Sequence, residues 1–424
     1  MIIHTVKKGD SLYSIAKEYS VPYEIVNELN MLPDPSKLTV GQSVIVRIPS
    51  ELYKVRRGDT LFSVSRKFGI PEITLLRNNP KLMGLDDLTE GEELVISYED
   101  PDPIKSFAVS GYVYPDVSQE TLQKTLPYLS YITPFSYGLT SDGNLVSLSD
   151  EKVIEKALSY SVKPVMLLTT LNDAGVFDNT LSNILLEDEE LQERLISQIL
   201  AVMQMKEYSA LDVDFEFIYP EDRDAYVSFI KRLKDSLSTY GYEVWVALAP
   251  KTSDDQKGLL YEAHDYRELG AAADKVLLMT YEWGYTYGPS MAVAPLDKVR
   301  EVIKYAVSRI PRNKIFMGIP NYGYDFTLPF VKGESRATTI TSASAPLLAY
   351  EKGSQILFDE RSASPFFRYN EDGILHEVWF EDARSIKDKL SLASEFELYG
   401  VGFWNLMNYF QPAFSTLSAL YGIK

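Results

Sequence analysis

The sequence predicts an α/β protein in which a (β/α)8 barrel follows two small βααβ modules. Three observations lead to this prediction. A segment near the start of the 424-residue chain occurs twice, within residues 2–97. A break containing proline and aspartate stands at residues 100–103. After this break, short β-rich runs alternate with amphipathic helical stretches to the end of the chain, which is the pattern of parallel α/β folds.

The internal repeat can be followed residue by residue. Residues 4–12 (HTVKKGDSL) match residues 53–61 (YKVRRGDTL) at an offset of 49. Each copy predicts a strand, a Gly-Asp-Ser/Thr turn that caps a first helix, a second helix with Pro22 or Pro71 at its first position, and a closing strand. We therefore predict one module over residues 1–49 and a second over residues 50–99.

This repeated pattern resembles the LysM module, which implies binding to N-acetylglucosamine residues of peptidoglycan or chitin. The resemblance places glycan contacts in the loops between strand and helix, which contain Asp10, Ser11, Leu12, Asp59, Thr60 and Leu61. The alternative is that these residues only cap helices and fill the module core. Two weak sites on one chain would together hold a repeating polymer more firmly than one site.

Charge and composition limit the classes of partner. The net charge of −18 disfavours nucleic acid and anionic membranes, whereas a neutral glycan is compatible with it. The chain has no cysteine, which excludes disulfides and thiolate metal sites. No apolar run is long enough to span a membrane, and Met1 is not followed by the apolar stretch of a signal peptide. We expect a monomer that is made without a signal peptide, does not bind membranes and uses no cofactor.

The larger part of the chain, residues 104–424, predicts the (β/α)8 or TIM barrel. Its candidate strands are Ser106–Tyr112, Tyr131–Ser136, Lys163–Leu168, Ala210–Phe215, Glu243–Ala249, Lys275–Thr280, Lys314–Gly318 and Gly400–Asn405. A doubly wound sheet is the alternative, but no glycine-rich phosphate loop follows the first strand. Residues from about 325 to 380 interrupt the alternation, which predicts a small α+β insertion between strands 7 and 8.

The fourth of these strands has an unusual number of carboxylates. Because side chains alternate along a strand, Asp212, Asp214 and Glu216 share one face, while Leu211 to Phe217 at odd positions share the other. In a barrel the acidic face points inward, close to the end where catalytic groups lie. Like charges so close retain a proton, and a protonated carboxyl is what a general acid needs. A solvated edge strand and a Mg²⁺ or Ca²⁺ site are the alternatives; we predict no metal site.

At this point the chain resembles glycoside hydrolase family 18. The last three acidic positions of the family motif Asp-x-x-Asp-x-Asp-x-Glu are Asp212, Asp214 and Glu216, whereas its first Asp is replaced by Ser209. Residues 279–284 (MTYEWG), 318–323 (GIPNYG) and 400–404 (GVGFW) resemble further family segments, with Glu282 where Asp is usual. The family's Ser-x-Gly-Gly on strand 3 is missing. The resemblance spans residues 104–424 in the expected order.

The resemblance implies a retaining, substrate-assisted mechanism and a role for each acid. Glu216 protonates the glycosidic oxygen, and Asp214 stabilises the 2-acetamido group of the substrate, which attacks C1 in place of an enzyme nucleophile. Asp212 shares a proton with Asp214, and Tyr281 donates to the acetamido oxygen. The residues to which the resemblance assigns substrate contact are Trp404, Met279, Glu282, Asn321, Tyr322 and Tyr112. No catalytic role is expected for the histidines, and His264 is predicted to be a cap or surface residue.

Two such modules before such a barrel, together with residues 281–289 (YEWGYTYGP), resemble the N-acetylglucosaminidases that digest spore cortex peptidoglycan during germination. The resemblance implies location in the coat or cortex region of the spore. A chitinase or chito-oligosaccharide hydrolase would use the same carboxylates and stays an alternative. A non-catalytic glycan-binding protein is a second alternative, which the presence of Glu216 disfavours.

Overall fold

The computed structural model describes residues 1–85, 87–171 and 176–424. The chain folds into two βααβ units, a barrel and a small sheet at one end of the barrel. In the described part of the chain, no helix is long and apolar enough to cross a membrane.

The two N-terminal units have the predicted βααβ order. Module 1 consists of the strands Ile2–Thr5 and Ser43–Val46 and the helices Leu12–Glu18 and Tyr23–Asn30. Module 2 consists of the strands Pro49–Lys54 and Glu93–Tyr98 and the helices Leu61–Phe68 and Glu72–Asn78. In each module the two strands pair antiparallel. Pro22 and Pro71 stand at the N-cap, one position before the predicted first residue of the second helix.

Eight parallel strands close into a barrel, because the eighth strand pairs with the first. In order around the barrel they are Ser106–Val113, Tyr131–Pro134, Lys163–Thr169, Ala210–Asp214, Glu243–Leu248, Lys275–Leu278, Ile315–Pro320 and Gly400–Trp404. All eight predicted strands are confirmed, with ends that differ by no more than two residues.

Helices surround this barrel, and a short hairpin follows its second strand. The helices are Gln119–Thr125, Glu151–Ser159, Asn179–Glu187, Glu189–Met205, Arg223–Ser238, Tyr266–Ala272, Leu296–Val307, Ala383–Glu395 and Gln411–Leu420. The hairpin joins Gly138–Leu139 to Leu145–Val146, and the last strand, Gly422–Ile423, pairs with the first barrel strand. Outward-facing side chains of the strands pack with these helices into the main core, to which Leu211, Val213 and Phe215 belong.

A five-stranded antiparallel sheet is inserted between the seventh and eighth barrel strands. Its strands are Tyr322–Leu328, Thr338–Thr341, Leu357–Asp359, Ser364–Glu371 and Ile374–Trp379, and its helix is Ala345–Glu351. The first of these strands begins two residues after Pro320, where the seventh barrel strand ends. The sheet therefore starts at the carboxyl end of the barrel, where it can form a wall of a substrate cleft.

Both modules contact the barrel unit through their second helix and through the segment that joins this helix to the closing strand. In module 1, Thr39 Oγ1 donates to the carbonyl of Pro346 over 2.8 Å, and the Ile356 amide donates to the carbonyl of Val40 over 2.9 Å. In module 2, Met83 belongs to the main barrel core. The first helix of each module takes no part in these contacts.

Candidate active site

The fourth barrel strand carries two aspartates inside the barrel. Asp212 and Asp214 face inward, whereas Leu211 and Val213 pack outward in the main core, as the alternation predicts. The strand ends at Asp214, and the alternation continues through Phe215, which packs in the main core. Glu216 lies beyond the strand at the carboxyl end of the barrel. Phe217, which was expected to pack outward against helices, is instead 38% exposed.

Asp212 is the innermost carboxyl group and is fully buried. The Tyr112 hydroxyl donates a hydrogen bond to Asp212 Oδ2 over 2.7 Å, while Oδ1 has no partner among the described residues. Burial raises the pKa of Asp212 to about 6, and the hydrogen bond from Tyr112 opposes this shift. The protein thus holds one oxygen of this carboxyl and keeps its proton close to neutral pH.

Asp214 lies between the other two acids. Burial raises its pKa well above the usual range, and the negative charges of Glu216 and Asp212 raise it further. Its Oδ1 atom has no hydrogen-bond partner among residues 1–85, 87–171 and 176–424. A carboxyl group in this position can share a proton with its neighbours and still accept a hydrogen bond from a ligand.

Glu216 has the pKa of a group that titrates near neutrality. Burial raises the pKa of Glu216 to about 7, and the charge of Glu282 contributes to the rise. Glu282 follows the sixth barrel strand in a left-handed conformation, with φ of 65°. Its carboxylate accepts hydrogen bonds from the hydroxyls of Tyr322 and Tyr324. Glu216 can therefore donate a proton at physiological pH, which general acid catalysis requires.

A cavity of about 520 Å³ opens above these acids. It is lined by Tyr112, Phe135, Phe177, Asp214, Glu216, Ala247, Leu277, Met279, Tyr281, Glu282 and Trp404. The Trp404 ring is packed by its aromatic neighbours, with ring centroids at 5.1 Å for Phe135 and 5.7 Å for Tyr112. Aromatic faces over buried carboxyls make a site that suits a sugar ring, because its C–H faces are apolar and its substituents are polar.

A second cavity of about 710 Å³ adjoins the first and has Glu282 and Trp404 in common with it. Its other lining residues are Tyr114, Asn321, Tyr322, Tyr324, Thr339, Asn405 and Asn408. Asn321 Nδ2 donates to the carbonyls of Asn405 and Asn408, and the buried Oδ1 has no partner among the described residues. Except for Glu282 this cavity is lined by neutral polar and aromatic groups.

The structure brings the predicted catalytic and substrate-contact residues to these two cavities. Met279, Tyr281, Glu282 and Trp404 line the first cavity, and Asn321 and Tyr322 line the second. Tyr112 differs in part from its predicted role as a substrate contact. Its ring lines the first cavity, but its hydroxyl is bonded to Asp212.

One prediction about a histidine is wrong. His264 is 1% exposed and lies inside the barrel wall, whereas a cap or surface residue was expected. Its Nδ1 accepts from the Ala249 amide over 2.9 Å, so its Nε2 carries the proton and donates to the Phe215 carbonyl over 3.0 Å. This pair of bonds joins the ends of the fourth and fifth strands and holds the backbone between Asp214 and Glu216. No pattern along the chain links His264 to Phe215, 49 residues away.

The predicted loop residues of the modules are engaged within their own turns. Asp10 accepts from His4 Nε2 and from the Lys7 amide, and Asp59 accepts from the Tyr53 hydroxyl and the Arg56 amide. Ser11 and Thr60 cap the first helix of their modules. Leu12 is only 1% exposed and belongs to the core of module 1, whereas Leu61 is partly buried. Glycan contact by these side chains stays a prediction, and the structure gives most of them a structural role.

Two known protein families match separate parts of this chain. The profile described as Glycosyl hydrolases family 18 matches residues 118–408, and the LysM domain profile matches residues 4–47 and 53–97. The chain belongs to glycosyl hydrolase family 18. The chain is thus a glycoside hydrolase, and it carries a tandem of LysM domains, which indicate binding of glycans containing N-acetylglucosamine.

Several family 18 relatives match along the whole chain. A cortical fragment-lytic enzyme of Bacillus subtilis is 38% identical over 413 residues, which cover 96% of this chain and 95% of that protein. A cortical fragment-lytic enzyme of Bacillus cereus is 37% identical and covers 95% and 94%. The crystal structure of the spore cortex-lytic enzyme SleL from Bacillus megaterium is 35% identical with a TM-score of 0.84, over 100% of this chain and 98% of that one. The family, the barrel and the LysM tandem expected from the sequence are confirmed.

Proposed function

We propose that this family 18 enzyme is a retaining N-acetylglucosaminidase that hydrolyses spore cortex peptidoglycan or its fragments during germination. The observation that carries the proposal is the graded set of acids in the cleft. Asp212 is fully buried, Asp214 lies between two further acids, and Glu216 at the mouth has a pKa of about 7. The relatives that match over the full chain, which are named for lysis of cortical fragments, support the choice of substrate.

Each residue of the cleft has a proposed part in the reaction. Glu216 donates its proton to the glycosidic oxygen as the bond to C1 breaks. Asp214 accepts a hydrogen bond from the N–H of the substrate's 2-acetamido group. Its charge balances the positive charge that forms when the acetamido oxygen attacks C1. Tyr281 orients that oxygen, and Trp404 supports the sugar ring from below. Water then opens the cyclic intermediate with Glu216 as the base, so that the anomeric configuration is retained.

Asp212 and Glu282 act on groups around the glycosidic bond rather than on the bond itself. Asp212, held by Tyr112, takes up the proton that Asp214 releases when the substrate binds. Glu282, Asn321, Tyr322 and Met279 hold hydroxyl and acetyl groups of the sugars. The proposal includes a monomeric protein with modules at residues 1–49 and 50–99, a barrel unit at 104–424 and an insertion at about 325–380. It also includes action in the coat or cortex region of the spore, without attachment to a membrane.

The proposal is tested by replacing the acid. Glu216→Gln keeps the shape of the side chain but removes the proton donor, so we expect hydrolysis of cortex fragments to fall by about 10²- to 10⁴-fold. Binding to insoluble peptidoglycan should be unchanged. Glu221→Gln, at an exposed acid five residues further along the chain, is the matched control and should hydrolyse at the wild-type rate.

The sugar at the new reducing ends of the products identifies the bond that the enzyme cleaves. Mass spectrometry of reduced cortex digests should find N-acetylglucosamine at the new reducing ends. Muramic acid at those ends would contradict the proposed bond specificity. Turnover of chitin oligomers without turnover of cortex fragments would replace the proposal with a chitinase. Full activity of Glu216→Gln would overturn the assignment of the acid.

A further inference from the structure

The two modules expose an aromatic ring at the same place. Tyr13 in module 1 and Phe62 in module 2 are related by the offset of 49, and they are 67% and 62% exposed. Large apolar side chains are seldom left in water at the same position of two copies of a domain unless something covers them. Each ring stands one residue after Leu12 or Leu61, on the outer side of the first helix.

Basic residues occur close to each ring in the sequence, at matched positions. Three positions are basic in both modules, and all six residues are exposed: Lys7 and Arg56, Lys8 and Arg57, and Lys17 and Arg66. Among the described residues, none of these six forms an ion pair with a carboxylate. Because the chain has a net charge of −18, these six exposed cations are opposite in sign to the protein as a whole.

The fold brings these residues to one surface of each module. The Lys7 amide donates to Asp10 over 2.7 Å, and the Arg56 amide donates to Asp59 over 2.8 Å, so both basic pairs sit on the same tight turn before the first helix. Tyr13 and Lys17 are four residues apart on that helix and therefore lie on one face, as do Phe62 and Arg66. We call residues 7, 8, 13 and 17, and residues 56, 57, 62 and 66, the basic–aromatic face of each module.

Some other exposed positions of the two modules differ in charge. Glu18 corresponds to Lys67, and Thr5 corresponds to Lys54. The hydrogen bonds between the modules and the barrel unit involve other residues, such as Thr39 and Arg77. The basic–aromatic face therefore has the same chemistry in both modules and contributes to none of the hydrogen bonds described between the modules and the barrel unit.

We propose that the basic–aromatic face of each module binds a carboxylate-bearing glycan strand. The ring stacks on the apolar face of a sugar, and the cations pair with carboxylates of muramic acid or of its peptide side chains. This inference rests on the proposed peptidoglycan substrate and adds that the modules select acidic wall glycan over neutral chitin. The local positive charge also offsets the repulsion between an acidic protein and an acidic polymer.

The test measures co-sedimentation of the full-length protein with peptidoglycan sacculi, with sacculi whose carboxyl groups have been converted to neutral amides, and with chitin. The charge variant is Lys8→Gln with Arg57→Gln, and its control is Lys152→Gln with Lys332→Gln, at exposed lysines of the barrel unit. We expect the charge variant to bind intact sacculi about two- to tenfold more weakly than wild type, and to bind amidated sacculi as wild type does.

The ring variant is Tyr13→Ala with Phe62→Ala, and its control is Tyr240→Ala, at a tyrosine that is 57% exposed on the barrel unit. We expect the ring variant to bind all three polymers about tenfold more weakly, because stacking does not need a carboxylate. Equal affinity of the wild-type protein for intact and amidated sacculi would overturn the inference, and so would wild-type binding by the charge variant.

Soluble cortex fragments separate this inference from the proposed function. All variants should hydrolyse them at the wild-type rate, because the basic–aromatic face lies outside the cleft. If the wild-type protein cleaves no fragment, the proposed function fails while the binding measurements still decide whether the face binds acidic glycan.

Discussion

The aspartates of the barrel cleft and the aspartates of the module turns have pKa shifts in opposite directions. In the cleft, Asp212 and Asp214 are buried, each with one oxygen that has no partner among the described residues, and their pKa values are raised. In the modules, Asp10 and Asp59 lie near the surface and accept two hydrogen bonds each from their own turns, and their pKa values are lowered. The pKa of the same side chain is therefore raised in one region and lowered in the other.

The comparison teaches that partners, not residue type, decide what an acid does. In the modules, the first causes of the lowered pKa are hydrogen bonds, from His4 to Asp10 and from the Arg56 amide to Asp59. In the cleft, the first cause of the raised pKa is burial, which too few hydrogen bonds offset. The module acids hold a turn together, whereas the cleft acids are left free to exchange protons and to bind a substrate.

The largest effect is expected when Asp214, the acid between Asp212 and Glu216, is replaced. Asp214→Asn should lower kcat for cortex fragments by about 10²- to 10³-fold, because it removes the charge that balances the acetamido intermediate. The thermal midpoint should stay the same or rise, since a buried carboxyl is lost. Asp116→Asn, at an exposed acid after the first barrel strand, is the control. A variant that unfolds, or one with wild-type kcat, would contradict the separation of chemistry from stability in the cleft.

A second test asks whether the two regions act independently. Gly41 has a φ of 88°, and a Cβ atom there would lie 1.9 Å from the carbonyl oxygen of Ile356, so Gly41→Ala should weaken the docking of module 1. Gly91 is its counterpart in module 2 and has a φ of 87°. A Cβ atom there would have no atom closer than 3.9 Å, so Gly91→Ala introduces only backbone strain.

We expect Gly41→Ala to make module 1 more sensitive to limited proteolysis than Gly91→Ala does, while both keep the wild-type pH profile on soluble fragments. A changed profile in Gly41→Ala would mean that docking of module 1 affects the acids of the cleft.

The pH profile sharpens the account of Glu216. A general acid must be protonated, and the folded-state pKa of Glu216 is raised from 4.5 to about 7, so kcat/KM should fall as the pH rises through about 7. Glu282→Gln removes a negative charge that favours the protonated form, and should move this limb to lower pH by up to about one unit. Glu221→Gln should leave the limb in place. A limb that stays or moves to higher pH in Glu282→Gln would show that Glu282 does not influence the acid.

The smallest expected effect is on the stability of a module. Because the folded-state pKa of Asp10 is lowered, its contribution to stability is present above the unfolded-state pKa of about 4 and is lost as the pH falls through the lower folded value. Asp10→Asn should lower the thermal midpoint by about 1–3 °C at pH 7, and the difference from wild type should shrink as the pH falls below the unfolded-state pKa. Scanning calorimetry measures both, and a difference that persists at low pH would argue against the ionised carboxylate as its source.

The sequence was most informative where a local rule repeats. Alternation placed Asp212 and Asp214 inside the barrel and Leu211 outside, and it no longer held three residues after the end of the strand, at Phe217. The prediction for His264 was wrong because nothing near it in the sequence indicates that it bonds to Phe215 on a different strand. Tyr112 was predicted to contact the substrate, but its hydroxyl donates a hydrogen bond to Asp212, which is 100 residues away along the chain.

The sequence by itself therefore determined the family, the eight strands, the two modules and the three acids of the cleft. These follow from periodicity, from an internal repeat and from short motifs, all of which act between near neighbours in the chain. Only the tertiary structure decided which acids are buried and which are paired, because burial and hydrogen bonding depend on groups that distant strands bring together. That difference gives Asp214 and Asp59 opposite pKa shifts, although each lies in a short motif that was already visible in the sequence.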